Sequence, residues 1–449
     1  MEVRLSGGDD RNLMERLLEK QIPLSNSCNG KGTCGKCKVR VVSGTITDVT
    51  DTERRLLTEK EVAGRMRLAC MTKARGEVVI ETGEGEEDHV FTTGGVEGHF
   101  ERDDDKHGYG LAVDIGTTTV VATLVNMDDG TEGATYAQIN PQKTYGLDVL
   151  TRITYETEYK ERAITQLQEA IVHGLNEATK GICAEAGIDV TQIGEIDIAA
   201  NCTMLHMLAG VDARPIGRAP YKPAFTDGQK LKARDLGLMG AADAMVYLLP
   251  SVSAYIGADI VAGVYVCDLR HSSGKTLFID IGTNGELVLE AGGKMYSCSC
   301  AAGPALEGMN ITSGMRAAKG AVEDVHIGPD GIRLDVIGKG KPHGLCGSGI
   351  LAVVRELVRT GLVTRRGAFA RPEDFEVGDY RRDILRYNGN KREALLYSSG
   401  ETELLVTQSD VRQVQLAKGA IRSGIEVLLS HGGLTYEDID KVLIAGQFG

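Results

Sequence analysis

Four cysteines near the start of the chain have the spacing of an iron-sulfur site. Three lie in the glycine-rich run SCNGKGTCGKC as C-x5-C-x2-C, and a fourth follows after 32 residues in RMRLAC. They are Cys28, Cys34, Cys37 and Cys70. Four thiolates can hold a 2Fe-2S cluster, and the glycines let the loop fold tightly around its sulfides. Zinc is a less favoured alternative, because a zinc ribbon would carry a second C-x2-C pair.

The sequence D-I-G-T occurs twice, each time between two apolar stretches. The copies lie in LAVDIGTTTVVATLV at 111–125 and in LFIDIGTNGELVL at 277–289. In such a hairpin the glycine lets a phosphate approach the backbone, the following N–H and hydroxyl groups bind it, and the aspartate orients hydrated magnesium. Two copies 166 residues apart suggest a duplicated fold that clamps one nucleotide between its halves. The candidate residues are Asp114 and Asp280 for magnesium, and Gly116, Thr117, Thr118, Gly282, Thr283 and Asn284 for phosphate.

Two further glycine-containing stretches fit the same scheme. GLCGSGIL at 344–351 predicts a closely packed helix start, and DIDKVLIAGQFG at the end of the chain predicts a strand that runs into a glycine turn beside an adenosine. In this order, the set resembles the acetate kinase, sugar kinase, Hsc70 and actin (ASKHA) superfamily. By that resemblance, Gly446 and Gly449, with Gln415 and Lys418 one helix earlier, face adenosine.

The elements that must hold these residues divide the chain into three predicted parts. Residues 1–85 show a helix, the cysteine loop, a strand, a polar helical stretch TDTERRLLTEKEVAG and a closing strand, an order that fits a ferredoxin-like β-grasp domain. Residues 86–107 are acidic and lack apolar periodicity, so they predict a flexible tether. Residues 108–449 read as an α/β domain with lobes at about 108–270 and 271–449.

Charge and composition narrow the possible partners and location. The formal net charge of −13 argues against nucleic acid or an anionic membrane, because both bind basic surfaces. No apolar signal region opens the chain and no stretch of about 18 apolar residues could span a bilayer, so we expect a cytoplasmic protein. The six other cysteines are expected to be buried thiols. Among them, Cys298 and Cys300 in SCSCAA are predicted in a loop at the nucleotide cleft, with metal binding as the less favoured alternative.

Taken together, the chain resembles the reductive activators of corrinoid proteins over nearly its whole length. Besides the cysteines and the D-I-G-T turns, the resemblance rests on four stretches: NCTMLHMLAG at 201–210, YIGADIVAGV at 255–264, CAAGPALEGMNITSGM at 300–315 and VQLAKGAIRSGI at 414–425. The chain lacks an extra domain that some members carry between the ferredoxin and ATPase parts. It stops at Gly449 where the family continues, so we expect a fragment.

The resemblance implies a repair enzyme that uses ATP and Mg²⁺ to return one electron to Co(II) of a corrinoid protein of a methyltransferase system, giving Co(I). A ferredoxin, flavodoxin or reductase would supply the electron, and a homodimer is left open. Asp259 would orient a hydrolytic water or cap a helix, and His206 would approach cobalt or, as the favoured alternative, be a core histidine. Asn201 and Thr203 would line the cleft between the lobes. A redox-gated small-molecule kinase and a redox-sensing nucleotide-binding protein are the competing hypotheses.

Overall fold

The computed structural model of the chain describes residues 2–82, with gaps at 7, 9, 21, 23, 25–29, 31, 33, 34 and 36, and residues 105–446, with a gap at 401. Most of the predicted tether therefore lies outside the described residues, as do Cys28, Cys34 and Gly449. Within the part of the chain that is described, no helix has the length and apolar character needed to cross a lipid bilayer.

The first part of the chain forms a four-stranded antiparallel sheet with one helix packed on it. The elements are β1 (Glu2–Leu5), α1 (Leu13–Glu19), β2 (Lys38–Ile46), α2 (Asp51–Leu56), α3 (Glu59–Ala63), β3 (Met66–Leu68) and β4 (Ala74–Thr82). The strand order is β1-β4-β2-β3, so the first and last strands pair. Leu13 and Leu17 of α1 are fully buried in the core of this sheet.

The polar stretch predicted as one helical segment is two short helices. Thr50 caps α2 and Thr58 caps α3, each by a capping box with the glutamate three residues later. A new cap only eight residues after the first ends the earlier helix, because the Thr58 backbone is extended. Glu53, in the first turn of α2, forms a buried ion pair with Arg67 at 2.9 Å.

The second part is built on a mixed six-stranded sheet. Its elements are β5 (Tyr109–Ile115), β6 (Thr119–Asn126), β7 (Thr131–Ile139), α4 (Val149–Tyr159), α5 (Glu161–Ala186), β8 (Ile193–Ala200), α6 (Cys202–Leu208), β9 (Gln229–Lys232), β10 (Met245–Leu248) and α7 (Ala258–Val266). The strand order is β7-β6-β5-β8-β10-β9. β5, β6 and β7 are antiparallel, whereas β8 runs parallel to β5 on its other side. α5 covers the sheet with apolar residues at helical spacing, including Leu167, Ile171 and Leu175.

The third part repeats this arrangement and adds two small sheets. Its elements are β11 (Thr276–Ile281), β12 (Gly285–Ala291), β13 (Lys294–Cys300), β14 (Ala321–Gly328), β15 (Gly331–Val336), β16 (Gly344–Leu345), α8 (Gly347–Arg359), α9 (Tyr380–Ile384), β17 (Leu385–Asn388), β18 (Lys391–Ser399), β19 (Thr402–Thr407), α10 (Gln408–Gly432) and β20 (Lys441–Ala445). The main sheet has the order β13-β12-β11-β20, with β20 parallel to β11. Both halves thus place a meander of three antiparallel strands beside one parallel strand, as expected for a duplicated fold.

The loop predicted for SCSCAA is instead mostly strand. Ser297–Cys300 pair with Gly285–Val288 as part of β13, and Cys298 Sγ donates a weak hydrogen bond to the Gly424 carbonyl of α10 at 3.6 Å. Small residues were mistaken for a loop signal, although alternation along a strand places both thiols on the face that packs against α10. Cys298 and Cys300 are half-buried, and no group of metal-binding side chains is found among the described residues.

Glu356 in α8 fastens this helix to β14 and should make stability depend on pH. Its carboxylate accepts hydrogen bonds from Arg359 Nη2 at 2.7 Å and from the Ile327 N–H at 2.9 Å. Chiefly through the bond from Arg359, and against burial, these contacts lower the pKa of Glu356 from 4.5 to about 2. A lowered folded-state pKa stabilises the fold above the unfolded pKa, and this contribution is lost as the pH falls through the folded value.

We therefore expect Glu356→Gln to lower the free energy of unfolding by about 2 kcal/mol near neutral pH. The difference in unfolding free energy between this variant and the natural protein should shrink as the pH falls from 4.5 towards about 2. Denaturant unfolding at several pH values measures this, with Glu323→Gln on the exposed face of β14 as control. A difference that is the same across the acid range would contradict the role assigned to Glu356.

Candidate functional site

The two D-I-G-T turns lie at equivalent places in the two halves. Asp114 and Asp280 are the last-but-one residues of β5 and β11, and in each half three residues separate this strand from the antiparallel strand that follows, β6 or β12. At Gly116 a Cβ atom would lie 2.8 Å from the Thr119 carbonyl oxygen, so this turn needs glycine. At Gly282 the nearest atom is 3.8 Å away, so packing alone does not require glycine there. The predicted hairpins are thus present in both halves.

One glutamate brings the two turns together. Thr118 Oγ1 of the first turn donates to Glu307 Oε2 at 3.2 Å, and Thr283 Oγ1 of the second donates to Glu307 Oε1 at 2.8 Å. Sequence reasoning assigned no role to Glu307, although the stretch GPALEG that contains it contributed to the family resemblance. The two sets of candidate phosphate-binding residues therefore line one cleft between the halves.

Several carboxylates gather at this cleft and repel one another. Solvent reaches part of the Asp114 side chain, but many protein atoms surround it. The resulting loss of hydration, followed by the negative charges of Asp259 and Asp280, raises the pKa of Asp114 to about 7. Burial and then Asp259 raise the pKa of Asp280 to about 6. Glu286 pairs with Asp280 across the hairpin. Burial, followed by the negative charges of Asp259 and Asp280, raises the pKa of Glu286 to about 8. A cation would relieve this repulsion.

The arrangement fits a hydrated magnesium ion better than a directly bound one. No three of the His, Cys, Asp and Glu side chains in the described ranges come close enough together to ligate an ion. Mg²⁺ usually keeps several of its waters and takes one or two carboxylates plus phosphate oxygens. Asp114 and Asp280, one from each half, are suited to hold those waters.

Two residues that sequence reasoning did not assign to the phosphate turn support the first D-I-G-T copy. Arg152 of α4 is fully buried, and its Nη2 donates to the Thr117 carbonyl at 2.5 Å while its Nε donates to the Gly146 carbonyl at 2.8 Å. Burial lowers the pKa of Arg152 to about 9, against the opposing effect of Asp148, so it stays positively charged at neutral pH. The charge lies directly behind the backbone of the turn.

Asn201 is the second supporting residue and the N-cap of α6. Its Oδ1 accepts from the Met204 N–H at 3.0 Å, and its Nδ2 donates to Thr117 Oγ1 at 3.0 Å. The prediction had placed Asn201 only generally at the cleft. A signal was present in the sequence, because I-A-A at 198–200 occupies the same place beside β5 that I-A-G at 444–446 occupies beside β11, and Asn201 directly follows the first of these stretches.

The structure bears on the alternatives for Asp259 and His206. Gly257 is the N-cap of α7, so Asp259 is not, although its Oδ1 accepts from the Ile260 N–H of the first turn at 2.9 Å. The water-orienting role of Asp259 stays a prediction. Burial raises the pKa of Asp259, and its charge acts on Asp114 and Asp280. His206 is fully buried, its ring stacks on Phe225 at 4.1 Å, and Nε2 accepts from the Ala224 N–H at 3.0 Å. It is a core histidine.

The residues predicted to face adenosine are spread over two places. Gly446 has a φ of +93°, and a Cβ there would lie 2.4 Å from the Ile281 carbonyl oxygen and 2.9 Å from Asp280 Oδ1. Its backbone thus packs directly against the second D-I-G-T turn. Gln415 instead donates to the Arg366 carbonyl at 3.1 Å, and Lys418 is exposed on α10. Their assignment to adenosine stays a prediction.

Of the four candidate cluster ligands, Cys37 and Cys70 are described and adjacent. Their Sγ atoms lie 3.2 Å apart, and both residues are buried. The side-chain hydrogen bond between Cys37 and Cys70 is the main reason that the pKa of Cys37 is lowered to about 7, against burial. Gly35, with a φ of +68°, turns the loop immediately before them. Two buried thiols that converge in this way fit a pair of ligands to one iron.

Models of three known protein families match separate ranges of the chain. A model of the 2Fe-2S iron-sulfur cluster binding domain matches residues 2–75, the RACo middle region matches 109–272, and the C-terminal domain of RACo, the ASKHA domain, matches 274–449. The chain belongs to the RACo family. The predicted fold class, a ferredoxin-like domain followed by a duplicated ASKHA-type domain, is confirmed, and the cofactor predictions of a 2Fe-2S cluster, ATP and Mg²⁺ agree with these domain families.

Two curated proteins with names that refer to corrinoid proteins are similar in sequence to this RACo-family chain. It is 35% identical over 345 residues to the corrinoid activation enzyme RamQ of Eubacterium limosum, covering 76% of this chain and 58% of that protein. It is 24% identical over 374 residues to the [Co(II) methylated amine-specific corrinoid protein] reductase of Methanosarcina barkeri, covering 76% of this chain and 63% of that protein. The chain thus spans about three fifths of the length of these curated relatives.

A solved structure resembles the chain over almost its whole length. The structure named "Reductive activator for corrinoid,iron-sulfur protein" aligns with 99% of this chain and with 85% of the solved chain. The TM-score is 0.67 and the sequence identity is 29%. The iron-sulfur part alone is 33% identical over 69 residues, 15% of this chain and 16% of that protein, to a component of the Na(+)-translocating NADH-quinone reductase of Chlamydia felis.

The two contacts of Asn201 can be separated by mutation. Asn201→Asp should keep the helix cap, since aspartate is as good an N-cap as asparagine, but it loses the donor to Thr117 and adds a negative charge at the turn. We expect Mg-ATP affinity to fall about tenfold with little change in melting temperature. Asn201→Ala loses both contacts and should lower the melting temperature as well. Calorimetric titration with thermal unfolding checks this, and unchanged affinity in Asn201→Asp would remove Asn201 from the site.

Proposed function

We propose that this protein reactivates a corrinoid protein by an ATP-dependent, one-electron reduction of Co(II) to Co(I). The observation that carries the proposal is the joining, in one chain, of an iron-sulfur domain with a cleft in which Thr118 and Thr283 of the two D-I-G-T turns meet on one carboxylate. The names of two relatives, a corrinoid activation enzyme and a reductase of a Co(II) corrinoid protein, support the choice of substrate.

The fusion makes chemical sense because the reduction is uphill. Ferredoxin-type centres commonly have potentials near about −400 mV. Each 59 mV of adverse difference costs about tenfold in a one-electron equilibrium. The free energy of ATP binding or hydrolysis must therefore be coupled to the electron transfer, and a cleft whose two walls come from different halves can couple them through lobe closure.

The residues of this chain have distinct roles in the proposal. Cys28, Cys34, Cys37 and Cys70 hold the cluster. Asp114 and Asp280 position hydrated magnesium, and Asp259 orients a water. When bound, the cluster supplies one-electron transfer and magnesium supplies positive charge beside the phosphates. The remaining proposed contacts are Gly116, Thr117, Thr118, Gly282, Thr283 and Asn284 to phosphate, and Gly446, Gly449, Gln415 and Lys418 to adenosine.

The proposal extends to the setting in which the protein works. A ferredoxin, a flavodoxin or a reductase supplies the electron, and the acidic segment 86–107 tethers the cluster domain at 1–85 to the ATPase domain. The reduced thiols suit a cytoplasmic location. Sedimentation analysis decides between a monomer and the homodimer left open by the sequence.

The cluster assignment predicts a defined metal content. Protein purified without reductant should contain about two irons and two acid-labile sulfides per chain and should be red-brown. Cys70→Ser should lose most of this absorbance because it removes one thiolate of the adjacent Cys37–Cys70 pair, whereas Cys267→Ser at the end of α7 should keep it. Stoichiometric zinc without sulfide in the natural protein would exclude the electron-transfer role.

The nucleotide assignment predicts that the two chemistries can be separated. Asp280→Asn keeps the shape of the turn but removes a charge, an effect that usually costs about 1.5–3 kcal/mol, or tenfold to a hundredfold in rate. We expect an unchanged cluster spectrum, while ATP-dependent formation of Co(I) on a corrinoid protein falls at least about tenfold. Anaerobic absorbance of the Co(I) band measures this with excess electron donor.

The matched control for Asp280→Asn is Asp335→Asn, on the exposed face of β15, which should react at the natural rate. If Asp280→Asn also reduces the corrinoid at the natural rate, or if the natural protein needs no ATP, the nucleotide does not drive the electron. A kinase or regulatory role would then be the better hypothesis.

A further inference from the structure

Glu307 occupies the hydroxyl groups that the proposed function assigns to the nucleotide. Its two carboxylate oxygens accept from Thr118 Oγ1 at 3.2 Å and from Thr283 Oγ1 at 2.8 Å, so each D-I-G-T turn contributes one donor. A carboxylate that accepts two hydroxyl hydrogen bonds presents the same kind of anionic oxygens as a phosphate group. The side chain thus lies where a phosphate would compete with it.

The backbone on both sides of Glu307 is fixed by close packing. Glu307 ends a short 3-10 helix, Pro304–Glu307, and is followed by Gly308 with a φ of +74°. A Cβ at Gly308 would lie 1.9 Å from the Met315 carbonyl oxygen. Ala305 and Leu306, immediately before Glu307, are buried in two different hydrophobic cores. The turn is therefore rigid, and only the glutamate side chain is able to move away.

The charge of Glu307 works against an incoming phosphate. Burial raises its pKa, while the bonds from Thr283 and Thr118 and the positive charge of Arg316 favour the ionised form. The carboxylate shares the cleft with Asp114 and Asp280, so a phosphate meets a like charge as well as donors that are already used. If Glu307 withdraws, both hydroxyls and the field of Arg316 become available to the phosphate instead.

We propose that Glu307 competes with the phosphates of a nucleoside di- or triphosphate for Thr118 and Thr283. It joins the two halves of the cleft while no nucleotide is bound, and it withdraws when the phosphates take its place. This inference rests on the proposed function, because it requires that the two turns bind phosphate. It adds that nucleotide binding exchanges one anion for another at the contact between the halves.

The test is the affinity for Mg-ATP of Glu307→Gln, measured by calorimetric titration. The amide keeps the size of the side chain but removes the competing charge, so the dissociation constant should fall about tenfold. Adenosine, which has no phosphate, should bind both proteins equally. Glu286→Gln is the matched control, because it replaces another carboxyl group of the same cleft by an amide, but Glu286 accepts a hydrogen bond from Ser299 rather than from the two threonines. Its gain in affinity should be clearly smaller.

A second variant tests the proposal through the energetic coupling between Thr283 and Glu307, in addition to the Mg-ATP affinity of one variant. Thr283→Val removes a hydroxyl that Glu307 already engages in the free protein, so the valine should weaken Mg-ATP binding less in the natural background than in Glu307→Gln. A double-mutant cycle measures this difference. Unchanged cluster absorbance and melting temperature show that each variant is folded.

The outcomes separate this inference from the proposed function. If the natural protein binds no Mg-ATP, the proposed function itself is wrong. If the natural protein binds Mg-ATP but Glu307→Gln binds it no more tightly, or gains no more than Glu286→Gln does, competition by Glu307 is excluded. If Glu307→Gln binds Mg-ATP with the affinity of the natural protein but no longer hydrolyses ATP, competition by Glu307 is also excluded. Glu307 would then be a residue that acts on the attacking water.

Discussion

Repulsion among carboxylates that come from different parts of the chain is the constraint on which this structure depends. Asp114 and Asp280 lie one residue before the ends of equivalent hairpin strands, and Asp259 lies in the first turn of a helix. Burial and repulsion from the neighbouring aspartates raise the pKa of Asp114 to about 7 and that of Asp280 to about 6. Such an arrangement costs folding free energy, and it persists only because rigid elements impose it. Two sheets of the same strand order hold the hairpins, so the side chains are positioned by backbone pairing rather than by attraction to one another.

The two turns are equivalent in topology but are supported in different ways. Behind the first turn, the buried cation Arg152 and the amide of Asn201 contact Thr117. Beside the second, the backbone of Gly446 approaches so closely that no side chain fits. A buried positive charge favours negative ligands at the first turn, whereas the close backbone contact of Gly446 with Ile281 and Asp280 restricts the conformation of the second.

Local features of this fold could be predicted from the sequence, and contacts over long range could not. The hairpins followed from apolar stretches flanking D-I-G-T, and the helix start at Gly347 from its glycines. Glu307 was missed because its partners, Thr118 and Thr283, lie 189 and 24 residues away. Arg152 was missed because a single arginine in an amphipathic helix normally faces solvent. The sequence also did not show that Gly257 rather than Asp259 is the N-cap of α7, because the close approach of Gly257 to Asn201 depends on packing between separate elements.

The strand at Ser297–Cys300 shows a different limit of sequence reasoning. Its residues are small and weakly hydrophobic, so neither β-propensity nor periodicity favours a strand, yet it completes the edge of a sheet whose other strands are strongly apolar. Pairing with β12 decides its conformation, and α10 provides the surface against which its thiols pack. Tertiary context therefore overrides a weak local preference.

A ligand that binds both turns must be sensitive to how the two halves are arranged. Thr118 and Thr283 belong to different sheets, so any group that contacts both has a different affinity when the sheets move relative to each other. By thermodynamic linkage, a partner that prefers one arrangement of the halves changes nucleotide affinity by the same factor by which the nucleotide changes affinity for that partner. A cleft built from two halves therefore provides a physical route by which occupancy of one site alters the free energy of an event at another, as the proposed ATP-dependent activation requires.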